Sequence, residues 1–343
     1  MIDFRYHLVS IVAVFLALAI GIVLGSTELQ GTTIDALQSS SNSLKNQLSA
    51  AGAQRDNYAA LSSASDTFLA AAEPKLVTGM LPGDRLVLVT EPGASSGIVS
   101  GIKQAAALAG ATVTGTVALQ PKFNDLTGTT LANLNSVNGQ LAAADGTTLA
   151  PAAAAKTVDQ QQAAQLIATA ILDKTAGAAG LTSAQAQLLL QAYAQAGYLT
   201  VSGAVTDRAT LAVLVAPPTA PADGSSDPVN QVLLAVAEQF ASASTATLVA
   251  GPAVSGSAIS VLRSSSVSSQ VSSVDNADTT LGQISTVWAL ASQAAGHKPN
   301  SYGISGASAV SPVPLPVPSV TASPSVTPST KATGKAKKTV GNK

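Results

Sequence analysis

The hydrophobic positions of this chain begin as one unbroken run, LVSIVAVFLALAIGIVLG at residues 8–25, and no comparable run follows it. At a helical rise of about 1.5 Å per residue, the run is roughly 27 Å long, which is close to the thickness of the hydrocarbon layer of a bilayer. Its interior carries no charged side chain. The pattern predicts one transmembrane helix over residues 8–25, with the lipid bilayer as its first partner.

Charged residues are distributed unevenly on the two sides of this run. Arg5 precedes it, whereas Glu28 and Asp35 are the first charged residues after it, and the next basic residue is Lys45. The positive-inside rule therefore predicts a cytoplasmic N-terminus at residues 1–7 and an extracytoplasmic location for the rest of the chain.

A cleaved signal peptide is the alternative interpretation of the same run. Val23 and Gly25 would then precede a cut at Ser26. The apolar run is longer than the core of about 7–15 residues that signal peptides use, and this length favours a retained anchor.

Small residues recur every four positions along the predicted anchor and end in the GxxxG pattern of GIVLG. Such a stripe lets two helix backbones approach closely and predicts dimerisation in the membrane, although small residues are also common in membrane helices in general. The stripe is formed by Ala13, Ala17, Gly21 and Gly25.

Residues 26–75 continue with a helical spacing in which apolar and small positions alternate at steps of three and four. This spacing is typical of a coiled coil, and it predicts a weak coiled-coil stalk through which the chain forms a homo-oligomer. An amphipathic helix packed on its own domain is the alternative. We expect the dipeptide Glu73-Pro74 to end the helix. The seam positions are Ile34, Leu37, Ser41, Leu44, Leu48, Ala51, Arg55, Tyr58, Ser62, Ser65, Leu69 and Ala72.

Short apolar strands alternate with helices in residues 76–310, and this alternation predicts an extracytoplasmic α/β head. Two pseudo-repeats, at about 81–125 and 200–300, are predicted from the match of Asp84-Arg85 with Asp207-Arg208, each ahead of an apolar strand. They would form one doubly wound, mostly parallel sheet or two small lobes. The expected strands are 85–90, 111–119, one within 206–220, 246–252 and one within 267–278; the expected helices are 98–111, 229–243 and 280–296, with a helical insert over 126–196 broken near Pro151 and Gly177–Gly180.

The final segment, residues 311–343, is rich in Pro, Ser and Thr and ends in lysines. It predicts a disordered, solvated tail, because it has too little apolar surface to fold. Without the lysines of this tail, residues 1–330 carry 12 Lys and Arg against 18 Asp and Glu. This mildly acidic body argues against nucleic acid as a partner.

Candidate catalytic groups are scarce. The two histidines are His7, beside the predicted membrane span, and His297, which we expect to be a solvated residue at a helix end; cysteine is absent. The strand-end loops 91–97 and 251–257 lie where α/β folds bind phosphates, yet both lack a phosphate-binding motif and are read as ordinary turns. The sequence therefore predicts no catalytic or cofactor-binding residues and a protein that is not an enzyme.

Metal sites have two candidate sources of ligands. Asp275 and Asp278 precede a predicted helix, where Asp278 would be the N-cap, and a hard-cation site at the pair is the alternative. Copper would need thioether, thiolate or imidazole ligands, and the chain offers only Met1, Met80 and two distant histidines. We therefore predict no resident metal site within one chain.

Several segments together resemble a known family. The opening DFRYHLVSIVAVFLALAIGIVLGS, the segments DRLVLVTEPGA, AGATVTGTVAL and LAVLVAPP, and the block SSSVSSQVSSVDNADTTLGQISTVWAL with YGISGA are similar to the mycobacterial copper transport outer membrane protein family, MctB. The resemblance covers about residues 1–310. It implies a role in copper efflux or homeostasis across the envelope of actinobacteria, with copper as the transported ion and an oligomeric pore as one form of the role.

The residues themselves favour a different membrane arrangement from the one that the family's name implies. A spanning barrel needs many strands with alternating polarity and aromatic girdles, whereas this chain has few predicted strands and 3% aromatic residues. A retained apolar helix instead predicts an anchored protein of the cytoplasmic membrane. The alternative function is a membrane-anchored coiled-coil scaffold or regulator of cell-wall machinery, for example in cell separation or wall-hydrolase activation, with a cell-wall protein as partner.

Overall fold

The computed structural model of the chain describes residues 4–149, 157–174, 180–218, 228–252, 254, 257–306 and 308–312, without the side chains of residues 26–34. Contacts within the chain divide it into two compact units, Met1–Thr67 and Phe68–Lys343. The predicted break at Pro151, most of the predicted break at Gly177–Gly180 and the tail from residue 313 lie outside the described residues.

The first helix, α1, spans Phe4–Val77. Its segment Phe4–Gly25 has a mean hydropathy of 2.9 and is long and apolar enough to cross a membrane. The predicted helix end at Glu73-Pro74 is wrong, because Pro74 lies inside the last turn and α1 continues to Val77. Proline at this position removes the backbone hydrogen bond to the carbonyl four residues earlier and crowds that carbonyl. Burial of the Val77 side chain in the head offsets that loss, and Gly79, with φ 75°, ends the turn.

Within the described residues, the head contains one seven-stranded sheet of order β3-β2-β1-β4-β5-β6-β7, which confirms one sheet rather than two lobes. Strand β3 pairs antiparallel with β2, and all other pairs are parallel. The strands are β1 Arg85–Thr90, β2 Thr112–Leu119, β3 Leu199–Gly203, β4 Leu211–Val215, β5 Ala246–Ala250, β6 Ser272–Val274 and β7 Ser301–Tyr302.

Helices cover both faces of the sheet, as expected for strands that are apolar on both faces. In β1, Leu86 and Leu88 join one core with α2, α8 and the end of α1, whereas Val87 and Val89 join the other core with α3 to α7. The Trp288 indole on α8 donates a 2.9 Å hydrogen bond to the Leu76 carbonyl. The helices are α2 Ser96–Leu108, α3 Gly128–Asp145, α4 Val158–Ile171, α5 Ser183–Gln195, α6 Pro228–Ala243, α7 Ala258–Ser264 and α8 Thr280–Ala294.

The two predicted β-α-β units are present as β1-α2-β2 and β4-α6-β5, but the pseudo-repeat itself is not confirmed. Helices α2 and α6 cover opposite faces of the sheet. The two Asp-Arg dipeptides also occupy different places, because Arg85 is the first residue of β1, whereas Arg208 lies before β4 in a backbone conformation with φ 31°. In the sheet, Leu86 of β1 is paired with Leu211 of β4, whereas the match of Arg85 with Arg208 would pair Leu86 with Ala209. The observed pairing therefore differs from the sequence match by two residues.

Gly282 in the first turn of α8 is a position where alanine is expected to destabilise the head. A Cβ there would collide with the backbone carbonyl of Asn276, so the usual helix advantage of alanine is reversed. We expect Gly282→Ala to lower the free energy of unfolding by about 1–3 kcal/mol. In contrast, Gly52→Ala in α1 meets open space and should stabilise the helix by about 0.5–1 kcal/mol. Thermal unfolding of the full chain, followed by circular dichroism, measures both changes, and a stabilising Gly282→Ala would refute the close contact.

Candidate functional site

The described part of α1 after the predicted membrane span has an apolar face without a partner. Leu37, Leu44 and Leu48 are 65–75% exposed, and Tyr58 and Leu61 are each 64% exposed. Leu37, Leu44 and Tyr58 are separated by multiples of seven residues, so they lie on one side of the helix with Leu48 beside them. We call the surface formed by Leu37, Leu44, Leu48 and Tyr58 the α1 seam.

The α1 seam is a surface that another helix can cover. Between its leucines lies a shallow groove that Ser40, Ser41 and Lys45 also line. Small side chains next to leucines form the kind of hole into which an apolar side chain of a second helix inserts in a coiled coil. Among the described residues of the unit Met1–Thr67, no other segment covers this groove. The coiled coil itself remains a prediction.

The small residues of the predicted membrane span are also accessible. Ala13, Ala17, Gly21 and Gly25 are all exposed along α1. A Cβ built on Gly21 or Gly25 meets nothing within 4 Å. The surface is therefore sterically open to a second helix, and dimerisation through this stripe stays a prediction.

Asp275 has a structural role that the sequence did not reveal. Its carboxylate accepts hydrogen bonds from Arg263 Nη1 at 2.8 Å and from the backbone N–H groups of Ile304 and Ser305 at 2.8 and 2.7 Å. Arg263 also donates to Ser273 Oγ and to the Tyr302 carbonyl, so the pair connects α7, β6 and β7. The charge of Asp275 is thus compensated by a guanidinium rather than left for a cation.

The prediction that Asp278 caps α8 is wrong. Thr279 is the N-cap, and its hydroxyl accepts a hydrogen bond from the Gly282 N–H group at 3.1 Å. Asp278 is exposed, whereas Asp275 is buried, so the two carboxylates do not form one site. Thr279 can be the N-cap because its backbone is extended and because the Gly282 N–H group, three residues later in the sequence, is within reach of its hydroxyl.

The remaining candidates for chemistry are dispersed. His297 is exposed just after α8, as predicted. Loop 91–97 connects β1 to α2 as a strand-to-helix turn, whereas parts of loop 251–257 lie outside the described residues. Within the part of the chain that the structure describes, no group of three or more His, Asp or Glu side chains is placed to hold a metal ion.

Two residues that matter in the head were missed at the sequence level. Arg263 is a lone basic residue in the apolar segment AISVLRS, and such isolation is a usable signal for a buried ion pair. Glu91 directly follows an apolar strand and begins loop 91–97, which the sequence predicts to be an ordinary turn. The structure buries its side chain to 4% exposure.

The full sequence matches one family of known proteins. The family model described as copper transport outer membrane protein, MctB, matches residues 1–314. This chain belongs to the MctB family. The proteins named Copper transporter MctB from Mycobacterium bovis and Mycobacterium tuberculosis are each 31% identical to it over 312 residues, which cover 88% of this chain and 96% of theirs. The protein of the same name from Mycobacterium leprae is 28% identical over 314 residues.

Membership of the MctB family confirms the resemblance found in the sequence. The match includes α1 and the whole described head, and it stops within the Pro/Ser/Thr-rich segment. The relatives are named as transporters, which agrees with the expectation that the chain is not an enzyme.

Proposed function

We propose that this MctB-family chain acts in copper transport at the cell envelope as a helix-anchored protein that associates with further copies of itself. Residues 8–25 would cross the cytoplasmic membrane once, with residues 1–7 in the cytoplasm and the head outside. The names of the family and of its relatives support the copper role. The apolar segment Phe4–Gly25 supports the anchor.

The observation that carries the proposal is the α1 seam. Four large apolar side chains on one helix face are exposed in a single chain, and burying each of them is worth about 1.5–3 kcal/mol. The seam follows directly after the predicted membrane span on the same helix. Association of copies along α1 would bring several membrane segments together, which is the arrangement that a pore component requires.

Copper fits this proposal as the transported ion rather than as a resident cofactor. Cuprous ions favour thioether and thiolate ligands and cupric ions favour imidazole, whereas the chain has two methionines, two histidines and no cysteine. An assembly of several copies multiplies these few donors. We therefore place the copper path, in this proposal, between copies and not inside one head.

A second candidate function rests on the same exposed seam. A helix of another envelope protein could cover it in place of a second copy, and the chain would then be a scaffold or regulator of cell-wall machinery. In that case, disrupting the seam would impair cell separation and leave copper tolerance unchanged.

Single-cysteine labelling tests the anchored topology, because the chain has no cysteine of its own. We expect Ser39→Cys in intact cells to react with a membrane-impermeant maleimide, since it follows the span on the outside, and His7→Cys to react only after the cells are opened. Both variants substitute exposed positions of α1. Labelling of His7→Cys in intact cells would reverse the orientation, and loss of the N-terminal segment from the mature protein would show cleavage instead of anchoring.

Growth at raised copper concentration tests the transport role. Cells that lack the gene should become more sensitive to copper than the parent strain, and the full chain should restore their tolerance. Equal growth of the two strains in copper would contradict the role.

A further inference from the structure

Glu91 lies at the position in the sheet where an α/β fold most often binds a ligand. From the neighbouring strands β1 and β4, the chain continues to β2 on one side and to β5 on the other, so the carboxyl ends of β1 and β4 form a topological switch point. Glu91 directly follows β1, and its N–H group donates a 3.0 Å hydrogen bond to the Val215 carbonyl at the end of β4. Its side chain continues the alternation of Val87 and Val89 toward the face that α4 and α6 cover.

Three buried side-chain oxygen atoms without protein partners belong to residues that hydrogen bonds connect to the turn at Phe123-Asn124. Asn124 Nδ2 donates a 2.8 Å hydrogen bond to Glu91 Oε2, while Glu91 Oε1 and Asn124 Oδ1 have no hydrogen-bond partner among protein atoms. Gln160 at the start of α4 is fully buried and donates from Nε2 to the Phe123 carbonyl at 3.3 Å. Gln160 Oε1 also has no partner. Hydrogen bonds thus connect both Glu91 and Gln160 to the turn at Phe123-Asn124.

These three atoms share one chemistry, because each can only accept a hydrogen bond or coordinate a cation. No described hydrogen bond or ion pair joins Glu91 to a basic side chain; Lys122, close in sequence to Asn124, donates instead to the Ala196 carbonyl. Burial raises the pKa of Glu91 to about 7, because desolvation penalises the uncompensated carboxylate. The Glu91 carboxylate therefore has no compensating positive charge. A bound cation or a proton can supply one.

We propose that Glu91, Asn124 and Gln160 bind one small hard cation of the Mg²⁺ or Ca²⁺ class. Carboxylate and carboxamide oxygens are the ligands that these ions prefer, and their burial restricts the site to an ion rather than an organic molecule. The ion offsets the negative charge of Glu91 and joins the end of β1 to the start of α4 through the turn after β2. This proposal rests on the head alone, so it stands or falls independently of the copper role.

The unfolding temperature of the full chain in detergent, at about pH 8, tests the site with calcium chloride or magnesium chloride as the only added ion. We expect one of the two ions to raise the unfolding temperature of the wild type in a saturable way and to have no such effect on Glu91→Gln. The glutamine retains the shape and removes the buried charge, so this variant folds. Asp84→Asn is the matched control: Asp84 precedes β1 at the opposite end, and burial likewise raises its pKa.

Proton competition gives a second readout of the same site. Below about pH 3 Glu91 is neutral in the folded and unfolded states, so Glu91→Gln should leave stability unchanged; at about pH 8 and without added ions, Glu91→Gln should be more stable than the wild type. Near pH 7 cation binding should be accompanied by release of protons, which calorimetry in two buffers of different ionisation enthalpy measures. Three results would overturn the proposal: no response to either ion, an equal response in Glu91→Gln, or loss of the response in Asp84→Asn.

Discussion

Replacing Arg263 by methionine is expected to lower the free energy of unfolding of the head by about 3–5 kcal/mol, because it leaves the Asp275 carboxylate buried without its cation. The side chains of Arg263 and Asp275 are 10% and 3% exposed, and their atoms lie 2.8 Å apart. The substitution also removes the hydrogen bonds to Ser273 and Tyr302, which hold β6 and β7 together. Chemical denaturation followed by the fluorescence of the single tryptophan, Trp288, measures the change.

The exposed pair Arg55–Asp56 provides the matched control. It has the same 2.8 Å separation, but its side chains are 80% and 68% exposed, so breaking it with Asp56→Asn, which lies off the seam, should change stability by less than about 1 kcal/mol. Adding Asp275→Asn to Arg263→Met should recover part of the loss, since it removes the uncompensated charge. A loss no greater than that of Asp56→Asn would show that Asp275 does not depend on Arg263.

Introducing two charges into the α1 seam is expected to weaken self-association of the full chain by at least roughly 100-fold. The variant Leu44→Asp with Leu48→Asp removes two apolar side chains from the proposed interface, each worth about 1.5–3 kcal/mol, and places like charges opposite each other. Both leucines are exposed in the single chain, so folding of the head should not change. Sedimentation of the detergent-solubilised protein measures the oligomer.

A variant with the same charges on the opposite side of the helix controls for net charge. Asn42→Asp with Asn46→Asp keeps the four-residue spacing and nearly the same side-chain shapes, and helical geometry places both residues away from the seam. This control should associate like the wild type. If the two double variants associate equally, or if the wild type is a monomer, the seam is not an interface between copies.

The strands that carry the fold were predictable where the pattern is strongest. Strands β1 and β4 contain continuous apolar runs, and β5 is apolar except for the buried Thr247, as expected for strands whose two faces are both covered by helices. Strand β3 was missed because LTVSG forms an edge with four of its five residues exposed, so it has neither an apolar run nor an alternation. Strand β7 has only two residues, and its pairing depends on β6 and on Arg263.

The side-chain clusters were harder to predict than the strands, because their members are far apart in the sequence. Asp275 was recognised as a residue of interest, but its partner lies 12 residues earlier, on a helix whose packing the sequence does not specify. Glu91 and Asn124 are 33 residues apart and meet only because β1 and β2 are neighbours in the sheet. The end of α1 was misjudged for a related reason, since burial of Val77 decides it and the local preference of Pro74 does not.

The most direct test of the account is the copper content of cells that lack the gene and carry either the wild-type chain, the seam variant Leu44→Asp with Leu48→Asp, or the control Asn42→Asp with Asn46→Asp. The account predicts that cells without the gene accumulate copper when it is supplied, that the wild type and the control restore the parental copper content, and that the seam variant does not. Equal copper content with and without the gene, or full restoration by a seam variant that no longer associates, would contradict it.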